Sequence, residues 1–271
     1  GAQVTLILDS PEAAAMVAER GRAMGVTFAT CLELDTDDHR AGIAPGDERL
    51  IACARGLEGG GGARLAGVMT HAGGSYACTS TAEIRAVAEQ ERRLTVEAAE
   101  RLRAAGFACP IVSVGSTPTI TFAEHLDGVT EARVGVYAFQ DLVMAGLGVC
   151  RPEDIAVSVL ASVIGHQETR HWIITDAGWM ALSRDRGTAG QANDQGYGLV
   201  CDLDGTILDD LIVILANQEH GIVADRHGRP LDPAHLPRGS RLRILPNHAC
   251  ATVAPYDSYA VVDRRDVVAT W

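Results

Sequence analysis

The chain has 271 residues, of which 47% are hydrophobic and 21% are charged, as in a globular protein with one large or two modest domains. Its net charge of −12 argues against a broad surface for nucleic acid or anionic membranes, and no apolar run approaches the roughly 18 residues of a membrane span. All 23 basic residues are arginine, so a Walker A phosphate loop and a lysine Schiff base formed by this chain are both excluded.

The first half of the chain alternates apolar segments of strand type with amphipathic helices. The predicted strands are Gln3–Asp9, Val26–Asp35, Leu65–Thr70, Pro110–Val114 and Glu131–Val136. The predicted helices are Ala13–Met24, which Ser10 should cap, Gly46–Leu57, and Thr79–Ala105, which Ser80 and Glu83 should open as a capping box. This order predicts a parallel α/β array. About five strand units are too few for a closed barrel of roughly 250 residues, so we expect an open sheet or a partial TIM-type barrel.

The second half changes character from Ile155 onward, where short strands follow one another at close spacing. They are predicted at Ala156–His166, Trp172–Asp176, Gly198–Asp202, Ile212–Ala216, Arg241–Leu245 and Ala260–Val262. This spacing predicts a C-terminal antiparallel β domain. We place the boundary near Arg151 and Pro152, which gives domains over residues 1–152 and 153–271.

One motif in the β domain suggests a different chemistry. The sequence Asp202-Leu-Asp-Gly-Thr after an apolar strand resembles the nucleophile motif of haloacid-dehalogenase-like phosphatases. That family also needs a basic residue, usually lysine, to hold the phosphoryl group, and this chain has no lysine. We therefore reject the phosphatase interpretation and predict a hairpin turn at Asp204 and Gly205.

His248 and Cys250 form an H-x-C pair, which would place both side chains on one face of an extended segment. An imidazole and a thiolate together favour zinc, although the same spacing also occurs in ordinary core segments. The seven cysteines are scattered without a C-x-x-C motif, so we expect a reduced, cytoplasmic chain with mostly buried thiols. Asp176 and His220 at strand ends are either proton-shuttle or metal-supporting residues, or parts of surface turns.

Two loops follow predicted strands of the first half. Gly115, Ser116 and Thr117 offer hydroxyls and backbone N–H groups, which suit a phosphate cradle but also suit an ordinary turn. The segment from His71 to Tyr76 is either a ligand site or a Gly-rich turn beside a satisfied core histidine. Ligands of α/β proteins bind at this end of the strands, but both interpretations stay open for each loop.

Seven stretches in the same order resemble the D-serine dehydratase / D-threonine aldolase family of alanine-racemase-like pyridoxal-phosphate enzymes (fold type III). The resemblance implies an eight-stranded barrel with a C-terminal β domain, pyridoxal 5'-phosphate, zinc or another divalent metal, a small D-amino acid substrate and a homodimer. The stretches are ELDTDDHRAG (33–42), THAGGSY (70–76), VSVGSTPT (112–119), ARVGVYAFQD (132–141), DAGWMALSRD (176–185), NQEHG (217–221) and PNHAC (246–250).

The resemblance also implies roles for individual residues. Gly115, Ser116 and Thr117 would bind the cofactor phosphate, and Gly135 and Tyr137 would complete the cradle. The remaining implied positions are Arg40 at the phenolic oxygen of the cofactor, His71 and Tyr76 along the cofactor, and His248 and Cys250 as the catalytic metal pair. An H-x-C pair is typical of the zinc-bearing dehydratase branch, whereas the aldolase branch more often has H-x-D.

The function implied for the parent enzyme is α,β-elimination of a D-β-hydroxy-amino acid to a 2-oxo acid and ammonia. Retro-aldol cleavage is an alternative, and a non-catalytic pyridoxal-phosphate-binding protein is another. The family's Schiff-base lysine, on the first barrel strand, is absent from this sequence. We therefore expect a C-terminal fragment that lacks the first barrel strands and is inactive alone.

Overall fold

The computed structural model describes residues 2–38 and 40–271, apart from the side chain of Asp209. The chain divides into two compact units, Gly1–Gly135 and Val136–Trp271. This division falls before the boundary expected near Arg151, because the segment after residue 140 hydrogen-bonds within the second unit. The amide of Leu142, for example, donates to the carbonyl of Pro246 at 3.1 Å.

The first unit is a parallel five-stranded sheet with helices in its connections, which confirms the predicted parallel α/β array. Its order is β1-β2-β3-β4-β5, with every pair parallel. The strands are β1 (Thr5–Leu8), β2 (Phe28–Leu34), β3 (Ala63–Thr70), β4 (Ile111–Val114) and β5 (Glu131–Ala132). The helices are α1 (Pro11–Met24), α2 (Arg49–Glu58), α3 (Thr81–Ala104) and α4 (Thr117–Phe122). A TIM-type barrel stays a prediction for this sheet.

Local sequence signals account for the helix starts. The Ser10 hydroxyl accepts a hydrogen bond from the amide of Ala13 at 3.2 Å, and Pro11 occupies the first position of α1. At α3, the Ser80 hydroxyl accepts from the amide of Glu83 at 3.2 Å. The Glu83 carboxylate accepts in turn from the amide of Thr79, one residue before the cap, at 2.7 Å. Both predicted caps are thus confirmed.

The sheet has two different faces. The helix-covered face carries the main core, which includes Leu32, Leu34, Leu50, Leu57, Leu65, Val68, Leu102 and Val112. A second, smaller cluster contains Cys31, Ala66 and Met69. The β1 strand lies at one edge of the sheet and leaves Ile7 53% exposed.

The second unit contains a closed antiparallel barrel with the order β10-β7-β6-β11-β8-β9, which confirms the predicted antiparallel β domain. The barrel strands are β6 (Val159–Gln167), β7 (Trp172–Thr175), β8 (Leu199–Cys201), β9 (Ile207–Ala216), β10 (Gly221–Asp225) and β11 (Arg241–Leu245). A hairpin of β12 (Ala260–Asp263) and β13 (Asp266–Thr270) follows. The short helices are α5 (Leu142–Gly146), α6 (Trp179–Leu182) and α7 (Ala249–Val253).

The structure confirms one predicted segment and shortens another. The segment after Cys201 is a hairpin turn between β8 and β9, as predicted: Asp202 Oδ1 accepts from the amides of Asp204 and Thr206 at 2.9 and 2.8 Å. The predicted strand Glu131–Val136 is too long, because β5 ends at Ala132 and a single 3-10 turn already occupies Val136–Ala138. Within the described residues, every helix is too short or too polar to cross a lipid bilayer.

Candidate functional site

The loops after β3 and β4 meet at the carboxyl-terminal edge of the parallel sheet. His71 follows β3, and its Nδ1 lies 3.0 Å from the carbonyl oxygen of Gly115, which follows β4. Because a carbonyl oxygen can only accept a hydrogen bond, Nδ1 carries the hydrogen, and Nε2 is the nitrogen that can bind a ligand. The ring of Tyr76 lies 6.1 Å from that of His71, centroid to centroid. The structure thus brings three predicted cofactor residues together.

Hydroxyl groups line the same two loops. The Ser116 hydroxyl lies 3.2 Å from that of Ser75 and 3.0 Å from that of Thr119. Ser116 caps α4, and both Ser116 and Thr117 are buried. These contacts make a rigid, polar turn at the end of a buried strand, where the sequence predicted a phosphate cradle.

Gly115 has a backbone that favours glycine. Its φ is +131°, and a Cβ at this position would lie 2.4 Å from the carbonyl oxygen of Arg133. Its amide donates to the Glu91 carboxylate at 3.0 Å. Both polar backbone groups of Gly115 therefore have partners in the unit, and its contribution to a cradle is the shape of the turn.

Glu91 of α3 is the most deeply buried carboxylate of this unit, with 2% exposure. Its Oε1 accepts from the amide of Gly115 at 3.0 Å and from the amide of Ala72 at 3.2 Å. Burial raises the pKa of Glu91 above its ordinary value, against hydrogen bonds from the Gly115 amide, Thr119 and the Ala72 amide that lower it. One side chain thus holds the loops after β3 and β4.

A half-buried cation stands beside these loops. The Arg133 guanidinium donates to the Ser113 hydroxyl at 2.8 Å and to the carbonyl of Thr70. Burial lowers the pKa of Arg133, while Glu91 and Glu131 raise it. The Ser113 hydroxyl and the Thr70 carbonyl are neutral, so Arg133 places a cation at this edge of the sheet, with the Glu91 and Glu131 carboxylates as nearby counter-charges.

The other predicted cofactor residues lie on the surface of their units. Arg40 is half exposed and pairs with Glu33 of β2 at 3.7 Å. Gly135 is exposed at the end of the first unit, and Tyr137, 57% exposed, stands in the 3-10 turn at the start of the second. Their roles at the cofactor stay predictions.

His248 and Cys250 of the second unit do not share an extended segment, so that geometric expectation was wrong. His248 is the extended N-cap residue of α7, and Cys250 already lies in the first turn of that helix. The helix begins here because the buried Asp141 carboxylate accepts from the amide of Ala249 at 2.9 Å. The other oxygen of Asp141 accepts from the amide of Met144 at 2.9 Å, so one carboxylate caps both α5 and α7.

A carboxylate holds the His248 ring. Asp185 Oδ2 lies 2.7 Å from Nδ1 of His248, which leaves Nε2 for another partner. The hydrogen bond with Asp185 raises the pKa of His248, and the same bond lowers the pKa of Asp185. Cys250 is exposed, and partial burial of its side chain raises the pKa of the thiol.

The remaining candidates resolve more simply. Asp176 Oδ1 accepts from the amide of Ser162 at 2.7 Å, and His220 lies in the turn between β9 and β10, so both belong to surface turns. All seven cysteines are free thiols, four of them buried. Over residues 2–38 and 40–271, no three histidine, cysteine, aspartate or glutamate side chains converge in a metal-holding group.

Four residues of these sites were not predicted from the sequence: Glu91, Arg133, Asp141 and Asp185. The sequence did contain a signal for Glu91. This charged residue lies on the same face of α3 as Ala88, Thr95 and Leu102, and a charge on a buried helix face needs a specific partner. The other three lay inside stretches quoted for the family resemblance, but nothing in the spacing of those stretches indicated their partners.

Two family models divide the chain between them. A model described as the alanine racemase N-terminal domain matches residues 1–142, and one described as a putative serine dehydratase domain matches residues 156–262. The D-threo-3-hydroxyaspartate dehydratase of Delftia sp. strain HT23 is 52% identical over 273 residues, which cover all of this chain and 72% of that enzyme. The chain belongs to the D-serine dehydratase / D-threonine aldolase family. Members of this family include pyridoxal-phosphate-dependent lyases, and the chain is placed in that enzyme class.

Other family members agree with this assignment. The D-serine dehydratase of Dictyostelium discoideum is 31% identical over 242 residues, covering 86% of this chain and 60% of that enzyme. Solved structures of D-threo-3-hydroxyaspartate dehydratase match the whole chain with a TM-score of 0.96, among them a histidine-to-alanine variant and a metal-free cysteine-to-alanine variant. The D-threonine aldolase of Filomicrobium marinum, at 22% identity, covers 96% of this chain and 66% of its own, with a TM-score of 0.76, and shares the fold.

Proposed function

We propose that this chain provides the cofactor-phosphate and metal sites of a lyase that dehydrates D-3-hydroxy-amino acids, with D-threo-3-hydroxyaspartate as the substrate class. The observation that carries the proposal is 52% identity to the Delftia dehydratase along the entire chain. Aldolases of the family are more distant, since the 3-hydroxy-D-aspartate aldolase of Paracoccus denitrificans is 25% identical over 278 residues.

The first unit suits the phosphate end of pyridoxal phosphate. Its support is the strained turn at Gly115, which a Cβ would fill, and the buried hydroxyls of Ser116 and Thr117. His71 and Tyr76 would lie along the cofactor, and Arg133 would add positive charge. The aldehyde end of the cofactor normally forms a Schiff base with a lysine. These 271 residues contain no lysine, so no Schiff-base step is assigned to them.

The donor set of the second unit suits zinc. His248 and Cys250 supply an imidazole and a thiolate, the ligand types that zinc prefers, and leave positions for water or substrate. In D-threo-3-hydroxyaspartate dehydratase, the substituted histidine and cysteine of the solved variants stand two residues apart, as His248 and Cys250 do. A bound zinc would supply Lewis acidity toward a substrate hydroxyl.

The residues of the chain then have distinct tasks. Asp185 keeps the Nδ1 hydrogen of His248 in place, so that Nε2 presents its lone pair to the metal. Asp141 sets the start of α7 and thereby the position of the H-x-C segment. In the first unit, the turn at Gly115 and Ser116 binds and orients the phosphate. The homodimer and the cytoplasmic location stay predictions.

The reaction class is tested by the products formed by the gene product that contains this chain. With D-threo-3-hydroxyaspartate, dehydration releases a 2-oxo acid and ammonia in equal amounts, whereas retro-aldol cleavage releases glycine and glyoxylate. We expect the first pair, from the D isomer and not from the L isomer, and loss of both products after His248→Ala. Glycine and glyoxylate as the main products would refute dehydration.

A second candidate is a pyridoxal-phosphate-binding protein without catalysis, and the absence of lysine from these 271 residues favours it. It predicts that the chain binds pyridoxine 5'-phosphate, which has no aldehyde and needs no lysine, while the gene product forms neither product pair.

A further inference from the structure

Glu91 occupies a position where a carboxylate needs an explanation. It lies midway along α3, on the face that Ala88, Thr95 and Leu102 bury, and it is 2% exposed. A buried carboxylate is unfavourable unless hydrogen bonds replace its lost hydration. The contacts of Glu91 should therefore show what it stabilises.

Those contacts lie in two loops that are far apart in sequence. Oε1 of Glu91 accepts from the amide of Ala72, in the loop after β3, and from the amide of Gly115, in the loop after β4. A single oxygen that bonds both amides fixes the separation of the two loops. The helix itself gains nothing from these bonds, because its own amides already have their partners along α3.

Two direct links join the same loops. The His71 ring donates to the carbonyl of Gly115 at 3.0 Å, and the Ser75 and Ser116 hydroxyls lie 3.2 Å apart. Both direct links use side chains that are candidates for cofactor contact. Glu91 is different, since it bonds both loops through their backbone amides, and its further hydrogen bond is with Thr119 in α4.

We propose that Glu91 is a positioning residue that preassembles the phosphate turn at Gly115 and Ser116 with the His71 loop. The inference rests on the proposed cofactor site and adds the element that holds it in shape. Its role depends on side-chain length, because a side chain of this length places the acceptor Oε1 within hydrogen-bond distance of both amides at once. The negative charge strengthens these bonds but is not required for them, because an amide oxygen also accepts from both amides.

This distinction sets the experiment. Glu91→Gln keeps the length and the acceptor but removes the charge, whereas Glu91→Asp keeps the charge and is one methylene shorter. The probe is pyridoxine 5'-phosphate, titrated by fluorescence into the 271-residue chain, with pyridoxine as the ligand without phosphate. Glu97→Gln and Glu97→Asp, at an exposed position of the same helix, are matched controls. Hydrogen exchange at the amides of Ala72 and Gly115 reports the loops directly.

We expect Glu91→Gln to bind pyridoxine 5'-phosphate within about threefold of wild type, and Glu91→Asp at least about tenfold more weakly, because loosened loops must be ordered on binding. The two amides should exchange faster in Glu91→Asp, while the amides of Leu32 and Val68 in the core of the first unit exchange as in wild type, which a general loss of folding in this unit would not allow. Equal binding by Glu91→Asp and wild type, or weaker binding by Glu91→Gln than by Glu91→Asp, would overturn the role of Glu91. Failure of wild type to bind the probe would instead overturn the proposed cofactor site.

Discussion

Removal of the Asp185 carboxylate should weaken metal binding without loss of either proposed ligand. Its Oδ2 lies 2.7 Å from Nδ1 of His248, within the range of a charge-assisted hydrogen bond. Such a bond contributes about 1.5–3 kcal/mol when shielded from water. The two side chains are 32% and 38% exposed, so we take about 1–1.5 kcal/mol, which corresponds to about a five- to tenfold loss of zinc affinity in Asp185→Ala.

The assay is a competition titration of zinc between the protein and a chelator at neutral pH. Asp185→Asn should fall between wild type and Asp185→Ala, since its amide oxygen still accepts from the ring. Asp154→Asn is the control, because that exposed carboxylate of the same unit pairs with Arg151 at 2.9 Å. Zinc affinity of Asp185→Ala within twofold of wild type would show that the carboxylate does not orient the ligand.

Three further predictions concern the turn, the thiols and pH. Gly115→Ala should lower the unfolding free energy by about 2–5 kcal/mol, because of backbone strain and overlap of the new Cβ with its neighbours. Gly106 also has a positive φ, +90°, but has open space for a Cβ, so Gly106→Ala should lower the unfolding free energy less in the same urea titration. A thiol reagent should label Cys250 first, since it is the exposed cysteine. The labelling rate should rise with pH and fall when zinc is added. Equally fast labelling of the Cys250→Ala variant would contradict this. Without metal, the Asp185–His248 pair should stabilise the fold most between the ordinary pKa values of its two groups. The lowered Asp185 pKa means that its contribution is lost as pH falls, and the raised His248 pKa means that its contribution is lost as pH rises. Asp185→Asn should therefore lower the melting temperature most within that range, and its melting temperature should change less with pH on either side.

Local chemistry explains which parts of the fold the sequence could predict. Helix caps such as Ser10 and Ser80 act within three residues, and strand–helix alternation is visible along the chain, so the parallel array and its helix starts were predictable. The hairpin turn at Asp202 was predictable for a similar reason, because its hydrogen bonds lie within five residues.

The features that the sequence could not predict depend on contacts between residues far apart along the chain. The start of α7 depends on Asp141, more than one hundred residues earlier, and without that contact the H-x-C pair reads as extended. Asp185 and His248 are 63 residues apart. The loops at His71 and Gly115 were found from their composition, but their common support by Glu91 required the packing of α3 against the sheet.

The parallel sheet and the six-stranded barrel differ in whether they leave an edge strand, and this affects association between copies of the 271-residue chain. The barrel of β6–β11 closes on itself and presents no edge, whereas the parallel sheet begins at β1, which pairs with β2 alone among the described strands. Beside that edge, Ile7 is 53% and Val4 63% exposed. Open edges recruit further strands, and charged residues there prevent it. The 271-residue chain studied by itself should therefore associate through β1 at high concentration, and Ile7→Lys should lower that association in light scattering.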